Sequence, residues 1–328
     1  MPYIKGAGSW KSTQSNTNNG KRGRKVQQLK ITNHIRLIEL FAGIGSQAMA
    51  LRNIGADFES WIICEWWVQP NASYKAIHCS NDNNDYSSGK DKDFLIKWLF
   101  EKGISIDGKS PMQIEQIKKK PEKWLRDTFN NIKATKNIVN IQKAKGEDLK
   151  ITDTEKYTYI LTYSFPCQDL SVAGKMRGMD RESNTRSGML WEVERLLKEV
   201  KELPQILLME NVPQVIGKKN IHNFEEWQQF LESKGYKNYV ELLNAKDYGV
   251  AQNRNRCFMI SVLGDYTYTF PEKQTLTKCM EDYLEDEVSE NFFVDNDKTE
   301  RLIAELLESG KLDKTISNTI RGGGAEVH

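Results

Sequence analysis

No stretch of this 328-residue chain approaches the roughly 18 consecutive apolar residues that a membrane-crossing helix needs. Met1 to Gly20 lacks the apolar centre of a secretory signal. Cysteine is scarce: there are five, an odd number at scattered spacings, which argues against a disulfide framework and points to a reducing cytoplasm. Neither a CxxC nor an HExxH pair occurs, so no metal site is expected. An excess of one charge is missing too. The net charge of +2 is too small to name a partner by electrostatics alone. No internal repeat is found.

What is present is an ordinary globular composition, 38% hydrophobic, with room for one large domain or one large and one small. Residues 1 to about 33 carry no hydrophobic periodicity. They hold Lys21, Arg22, Arg24 and Lys25 among Gly, Asn, Ser and Thr, and are expected to be a flexible basic tail, either solvated or gripping DNA. Ile35–Phe41 is an apolar run ended by Ala42-Gly43, a strand signal. Ser46 to Asn53 has helical spacing, and Trp61–Cys64 is a second strand ending at Glu65. Strand, glycine turn, helix, strand and acid open a doubly wound α/β domain.

The span from about 80 to about 135 differs, being Lys-rich and helical in pattern, with Phe94, Leu95, Trp98 and Leu99, then Met112 to Ile132. It is expected to be a helical insertion at about 85–135 whose charge faces solvent or DNA. The α/β rhythm then returns. Strands are expected at Tyr159–Tyr163 and Gln205–Met209, with helices at Leu190–Val200 and Phe224–Lys234. Two late strands, Tyr239–Asn244 and Cys257–Val262, are expected to pair. Beyond Gly264 the chain becomes acidic and polar, with an amphipathic helix at Thr299–Glu308.

Four segments carry chemistry. Phe41-Ala42-Gly43-Ile44-Gly45-Ser46 is a strand-to-helix turn whose glycines let a ligand approach the backbone and whose helix amides face it. The third glycine of the dinucleotide fingerprint is absent, so the turn alone is also consistent with a plain α/β connection. Glu65 ends the next strand, where an acid accepts hydrogen bonds from ribose hydroxyls, and Trp66 can stack on a base or fill a core. Pro166-Cys167-Gln168 ends a strand, putting a thiol at the ligand-binding edge of the sheet. A free cysteine is otherwise a small buried apolar group. A Gly-, Ser- and Arg-rich stretch follows, including Lys175, Arg177, Arg181, Arg186 and Ser187. It suits a loop closing over a polyanion, although Asp169, Asp180 and Glu182 keep it from being a simple basic patch. Glu210-Asn211-Val212 ends the following strand. If the two strands are parallel neighbours, Glu210 lies within reach of Cys167, and a thiolate with a carboxylic acid suits attack on an electron-poor ring. Gln252-Asn253-Arg254-Asn255-Arg256 alternates so that both arginines share one face, for a phosphate, a carbonyl oxygen or a surface ion pair.

In order and spacing these segments resemble the DNA (cytosine-5)-methyltransferases. The cofactor motif is matched by Glu39 to Gly45 and the acidic motif by Glu65-Trp66. The adenine-contacting motif is matched by Gly146-Glu147-Asp148, followed by Leu149. The nucleophile motif is matched by Phe165 to Ser171, and the loop-end motif by Arg186 to Leu190. The acid motif is matched by Glu210-Asn211-Val212 and the arginine motif by Gln252 to Arg256. The resemblance covers about residues 35 to 265 and is nearest to bacterial and phage members. It implies a Rossmann-like α/β fold that takes S-adenosyl-L-methionine as cofactor and double-stranded DNA as partner. It implies that Phe41, Ala42, Gly43, Ile44, Gly45, Glu65, Trp66, Asp148, Leu149 and Pro166 contact the cofactor. Gln168, Lys175, Arg177, Arg186 and Ser187 would contact DNA. The implied chemistry acts on a flipped-out cytosine. Cys167 attacks C6 as a thiolate, and Glu210 hydrogen-bonds N3 and the exocyclic amine. C5 accepts the methyl group, and loss of the C5 proton with elimination of Cys167 releases the product. Arg256 would touch the cytosine O2, Arg254 would support the site, and Asn211 would hold the backbone.

The family pattern continues past the arginine motif with a target-recognition region and further motifs that are not found here. The sequence ends about 70 residues after Arg256, beyond Ile320-Arg321-Gly322-Gly323-Gly324, which looks like the start of the small domain. Residues 34–265 are therefore expected to be the catalytic domain and 266–328 the beginning of an incomplete target-recognition and small domain. Three expectations follow: a split enzyme needing a second polypeptide, a truncated product, or a reduced recognition region working with a partner. A binding module that holds cofactor or DNA without turnover is the contrasting class. A tRNA cytosine-5 methyltransferase would carry the same motifs. A nicotinamide-dependent dehydrogenase would need the missing glycine.

Overall fold

The computed structural model describes residues 27–166, 179–181, 187–290, 296–310 and 317–318. The basic stretch Lys21 to Lys25 lies outside them, and so do Cys167, Gln168, Lys175, Arg177 and Arg186.

The chain begins with β1 (Gln27–Gln28), β2 (Ile35–Leu40), α1 (Ser46–Asn53), β3 (Phe58–Cys64) and α2 (Val68–His78). Three helices follow, α3 (Lys92–Lys102), α4 (Ile114–Lys118) and α5 (Glu122–Ala134). Then come β4 (Thr158–Tyr163), α6 (Leu190–Glu199), β5 (Ile206–Asn211), α7 (Ile221–Ser233) and β6 (Tyr236–Asn244). β7 (Gln252–Asn253), β8 (Asn255–Leu263), β9 (Tyr266–Thr267), α8 (Asp297–Glu308) and β10 (Ser317–Asn318) complete the elements. No helix among the described residues is long and apolar enough to cross a membrane.

Six strands form one sheet in the order β3-β2-β4-β5-β8-β6. The first four run parallel, while β8 is antiparallel to both β5 and β6. From β2 the chain moves outward to β3, then returns to β4 on the other side. The carboxyl end of β2 is therefore a topological switch point, where open α/β sheets leave a crevice. Register makes this edge level: Leu40 pairs with both Cys64 and Tyr163, and Tyr163 pairs with Met209. The residues that follow, Phe41, Glu65, Ser164 and Glu210, consequently emerge side by side. β8 runs the opposite way and pairs Cys257 with Asn211, so Arg256 enters the same edge from β8's amino end.

The central strands are apolar on both faces because helices cover both. Ile38, Leu40, Leu161, Tyr163, Leu207 and Met209 pack with α6 and α7 through Val193, Leu196, Phe224 and Trp227. Alternate residues, among them Ile35, Leu37, Ile160 and Ile206, pack on the other face with Ala48 of α1. Helices α3 to α5 have a core of their own around Leu95, Leu99, Ile117, Leu125, Phe129 and Ile132.

Several elements depart from the sequence expectation. Met112 to Ile132 is two helices rather than one, because Pro121 at the start of α5 has no N–H to donate and disfavours helix in the residue before it. β6 starts at Tyr236, three residues early. It is the edge strand, and its polar Lys237 and Asn238 hide the pattern, Asn238 accepting a hydrogen bond from Ser261 at 2.7 Å. The segment expected as a tail ends in paired backbone, Gln27–Gln28 lying parallel to Tyr266–Thr267.

Candidate active site

The turn after β2 is held in an uncommon backbone. Phe41, Gly43 and Gly45 have φ of 59°, 55° and 84°. Gly43 and Gly45 adopt this region without a steric penalty, whereas Phe41 carries a Cβ and is strained there. The strain is offset by contacts converging on the turn. Gly43 N–H donates to Glu65 Oε2 at 2.9 Å, and Trp67 N–H donates to Glu65 Oε1 at 2.8 Å. Burial pushes the Glu65 carboxyl up to about 7, against these backbone donors, which hold it down. Beneath the turn, Glu39 is 1% exposed. It accepts from Ala48 N–H at 3.2 Å and from the Tyr74 hydroxyl at 2.6 Å. Burial pushes its carboxyl up to about 7 as well. A side chain on Gly43 would meet nothing within 4 Å, so the space in front of the turn is open. Ile44 beside it is 54% exposed. An acid at the next strand end, open room above a glycine and exposed backbone suit the ribose and amino-acid parts of a nucleoside cofactor.

One residue that the sequence reading did not single out holds Glu65 in place. Asn137 Oδ1 accepts from Glu65 N–H at 3.0 Å and Asn137 Nδ2 donates to the Glu65 carbonyl at 2.8 Å. Its own backbone forms a parallel bridge with Ile63, one strand beyond β3. An isolated Asn in a polar stretch gives no signal of this. Gln47 of α1 is a second such residue, its Nε2 reaching Ser164 Oγ at 3.5 Å and tying the turn to the end of β4.

Other expected cofactor residues are placed differently. Trp66 is half-buried and packs against the α3–α5 core. Trp67, 40% exposed, is tied by its indole N–H to the Ile106 carbonyl at 3.0 Å. Asp148 lies in a short 3-10 turn, Gly146–Leu149, where it accepts from Lys145 N–H at 2.8 Å. That turn packs on Glu199 at the far end of α6, and Leu149 is fully buried in the core. Asp148 also lines a recess with Ile62, Lys136 and Asn137.

The second half of the edge assembles around Glu210. Arg256 Nε lies 2.7 Å from Glu210 Oε1 and Arg254 lies 3.6 Å from it, so both arginines face one carboxylate. Glu210 and Arg256 are mostly covered, at 20% and 17% side-chain exposure. Asn211 is buried, donating from Nδ2 to the Phe165 carbonyl at 3.0 Å and accepting from Val212 N–H at 2.8 Å. It thereby ties the end of β5 to the backbone two residues before Cys167. Behind Glu210, burial pushes the Cys257 thiol up to about 12, so it is a packing group. At the return of the polar loop, Ser187 opens a 3-10 turn leading into α6. Arg181 is not turned toward a polyanion. It pairs with Glu194 at 2.6 Å and Glu226 at 2.8 Å and lies over the Trp191 ring.

A mixed, mostly parallel sheet with a switch-point crevice, an acid-braced glycine turn and a Glu–Arg cluster at one edge make up an α/β architecture suited to a nucleoside cofactor. The profile of the family described as C-5 cytosine-specific DNA methylase matches residues 35–101 and 114–325. The chain is 39% identical over 271 residues to Orphan methyltransferase M.SssI of Spiroplasma monobiae, covering 81% of this chain and 68% of that protein. It is 37% identical over 274 residues to Type II methyltransferase M2.ScrFI of Lactococcus lactis subsp. cremoris, covering 80% and 71%. The fold is also found in the solved Entamoeba histolytica methyltransferase EhMeth, with TM-score 0.51, 16% identity and coverage of 80% and 64%. S. pombe Dnmt2 methyltransferase gives TM-score 0.50 at 16% identity, covering 87% and 70%. The chain belongs to the C-5 cytosine-specific DNA methylase family. It spans about two thirds of the length of these relatives.

Proposed function

We propose that this chain transfers a methyl group from S-adenosyl-L-methionine to C5 of a cytosine flipped out of double-stranded DNA. The observation that carries the reading is the meeting of three strand ends at one edge. Asn211 bonds the Phe165 carbonyl, and Glu210 receives Arg254 and Arg256, all beside the turn that Glu65 braces. The cofactor, when bound, supplies an electrophilic methyl group on a sulfonium sulfur. Gly43, Ile44 and Glu65 would hold its amino-acid and ribose parts, where the open space above Gly43 fits such a group.

The chain's own residues then divide the work. Cys167, one residue after Pro166, adds as a thiolate to C6 of the ring. Glu210 engages N3 and the exocyclic amine and draws off the charge that builds on the ring as sulfur adds. Arg256 fixes the Glu210 carboxylate from one side and offers its remaining N–H groups to the base carbonyl, while Arg254 supports the pair. Asn211 sets the backbone from which Cys167 projects. After methylation, loss of the C5 proton re-forms the C5–C6 double bond and expels the Cys167 sulfur.

The test is transfer of labelled methyl groups from S-adenosyl-L-methionine to duplex DNA, with tRNA in parallel. Incorporation into DNA cytosine, lowered by about a hundredfold or more in Glu210→Gln, supports the assignment. Incorporation into tRNA alone, or none into DNA, overturns it.

A further inference from the structure

The glycine turn is also gripped from the side away from the open space. Tyr74 and His78 lie one turn apart on α2, and a Cβ on Gly45 would fall 2.4 Å from His78 Nε2 and 2.6 Å from the Tyr74 ring. The two rings stand 4.5 Å apart and close over Gly45. His78 Nε2 lies 3.0 Å from the Ile44 carbonyl, which can only accept, so this nitrogen carries the proton. His78 Nδ1 lies 3.1 Å from the Arg52 guanidinium, which can only donate, so this nitrogen must be bare. One neutral tautomer satisfies both neighbours. The doubly protonated ring would aim an N–H at a guanidinium and lose that contact.

We propose that His78 is a positioning residue for the Phe41–Gly45 turn and that its protonation loosens the turn and weakens binding of the methyl donor. The inference rests on the reading of that turn as the methyl donor's site. The turn has reason to depend on the ring: three of its five residues have positive φ, and only convergent contacts keep it so. The groups facing His78 act in both directions, the Ile44 and Gly45 backbone favouring the protonated ring and burial and Arg52 opposing it. Arg52 approaches from α1. Tyr74 lies on its own helix, with the Glu39 carboxyl of β2 behind it, and Cys79 follows in sequence. Burial is the largest influence and Arg52 adds to it; together they outweigh the hydrogen bonds to the Ile44 and Gly45 backbone and hold the His78 imidazole below its ordinary range. The neutral form therefore prevails at neutral pH, and the proton is taken up as pH falls through and below the ordinary histidine range of about 6.5.

Glu39 and Glu65 titrate near 7, so the pH profile of the wild type alone is not diagnostic. The test is a pair of profiles. Binding of S-adenosyl-L-methionine to the full chain is measured by calorimetry between about pH 8 and about pH 5.5 for wild type, His78→Gln and His78→Ala, with thermal melts confirming that each is folded. Gln can donate to the Ile44 carbonyl and accept from Arg52 without titrating. Its affinity at about pH 8 should stay within about threefold of wild type, and His78→Ala should bind about tenfold more weakly. On acidification the wild type should lose about tenfold relative to His78→Gln. A ratio that stays constant with pH overturns the role of His78 while leaving the turn as the binding site. No binding by wild type at about pH 8 overturns the reading of the turn itself. The chain has four histidines, so nitrogen-detected spectra can also read the tautomer directly. A proton on Nδ1 in the neutral ring contradicts the proposal.

Discussion

Residues that stand close together at the edge of this sheet have separable duties. Gly43 and Gly45 both have positive φ, yet a Cβ on Gly43 meets open space while one on Gly45 strikes the Tyr74 and His78 rings. Gly43→Ala should therefore cost about 1–2 kcal/mol of stability, the left-handed penalty alone, and weaken binding of S-adenosyl-L-methionine in a titration. Gly45→Ala adds a collision between packed groups and should lose clearly more in a denaturant melt. If the two lose equal stability, the packing of α2 on the turn is misdescribed. At Asn211 the expected loss is of another kind. Asn211→Ala leaves the Phe165 carbonyl without its donor at a buried position, which costs about 1–3 kcal/mol and frees the backbone that leads to Cys167. Methyl transfer should fall by more than the melt accounts for, and a variant with reduced stability but full activity would remove Asn211 from the site.

Secondary-structure elements show how much of this was legible in the sequence. Ser46–Asn53 was readable to the residue because Gly45 precedes it and Gly55 follows shortly after it, with Ala48, Met49 and Leu51 marking a helical face. The parallel strands were readable because burial on both faces makes them continuous apolar runs. The neighbouring of β4 and β5, which puts Glu210 beside the turn after Tyr163, was a condition the sequence left open and the parallel register meets. Asn137 was not legible, since a polar side chain that serves two backbone groups of a distant residue leaves no periodic trace. Trp66 follows a strand-end acid, where the sequence left base stacking and core packing both open, and in the fold it is half-buried against the helical block. The Gly-Glu-Asp motif was visible as letters, while its position against the end of α6 depends on the path of the preceding loop.

The β2–turn–α1 element also predicts a pH response. Glu39 is raised in the folded state from 4.5 to about 7, so the folded protein holds a proton that the unfolded chain has lost between those values. Stability from this group is fully present below about 4.5 and declines as pH rises through about 7. Glu39→Gln keeps both hydrogen-bond partners without a charge to bury. Relative to wild type it should gain stability between about pH 5 and about pH 8, by up to about 3 kcal/mol. A difference that does not change with pH, measured by urea titration at both ends, would show that Glu39 is ionised throughout.

On the scale of the whole molecule, the account depends on a division along one sheet edge. In the proposed reading the methyl donor's side lies over β2 and β3, the base's side over β5 and β8, and β4 between them leads to Cys167. Family membership and the geometry of Glu210, Arg254, Arg256 and Asn211 converge on that arrangement. The most direct measurement is covalent trapping. Duplex DNA carrying 5-fluorocytosine is incubated with the chain and S-adenosyl-L-methionine, and the products are resolved under denaturing conditions. Fluorine at C5 cannot leave as a proton does, so the sulfur stays attached to C6. The account predicts a denaturant-stable protein–DNA species with wild type and none with Cys167→Ser. Absence of the species from wild type, or equal amounts from both proteins, would contradict it.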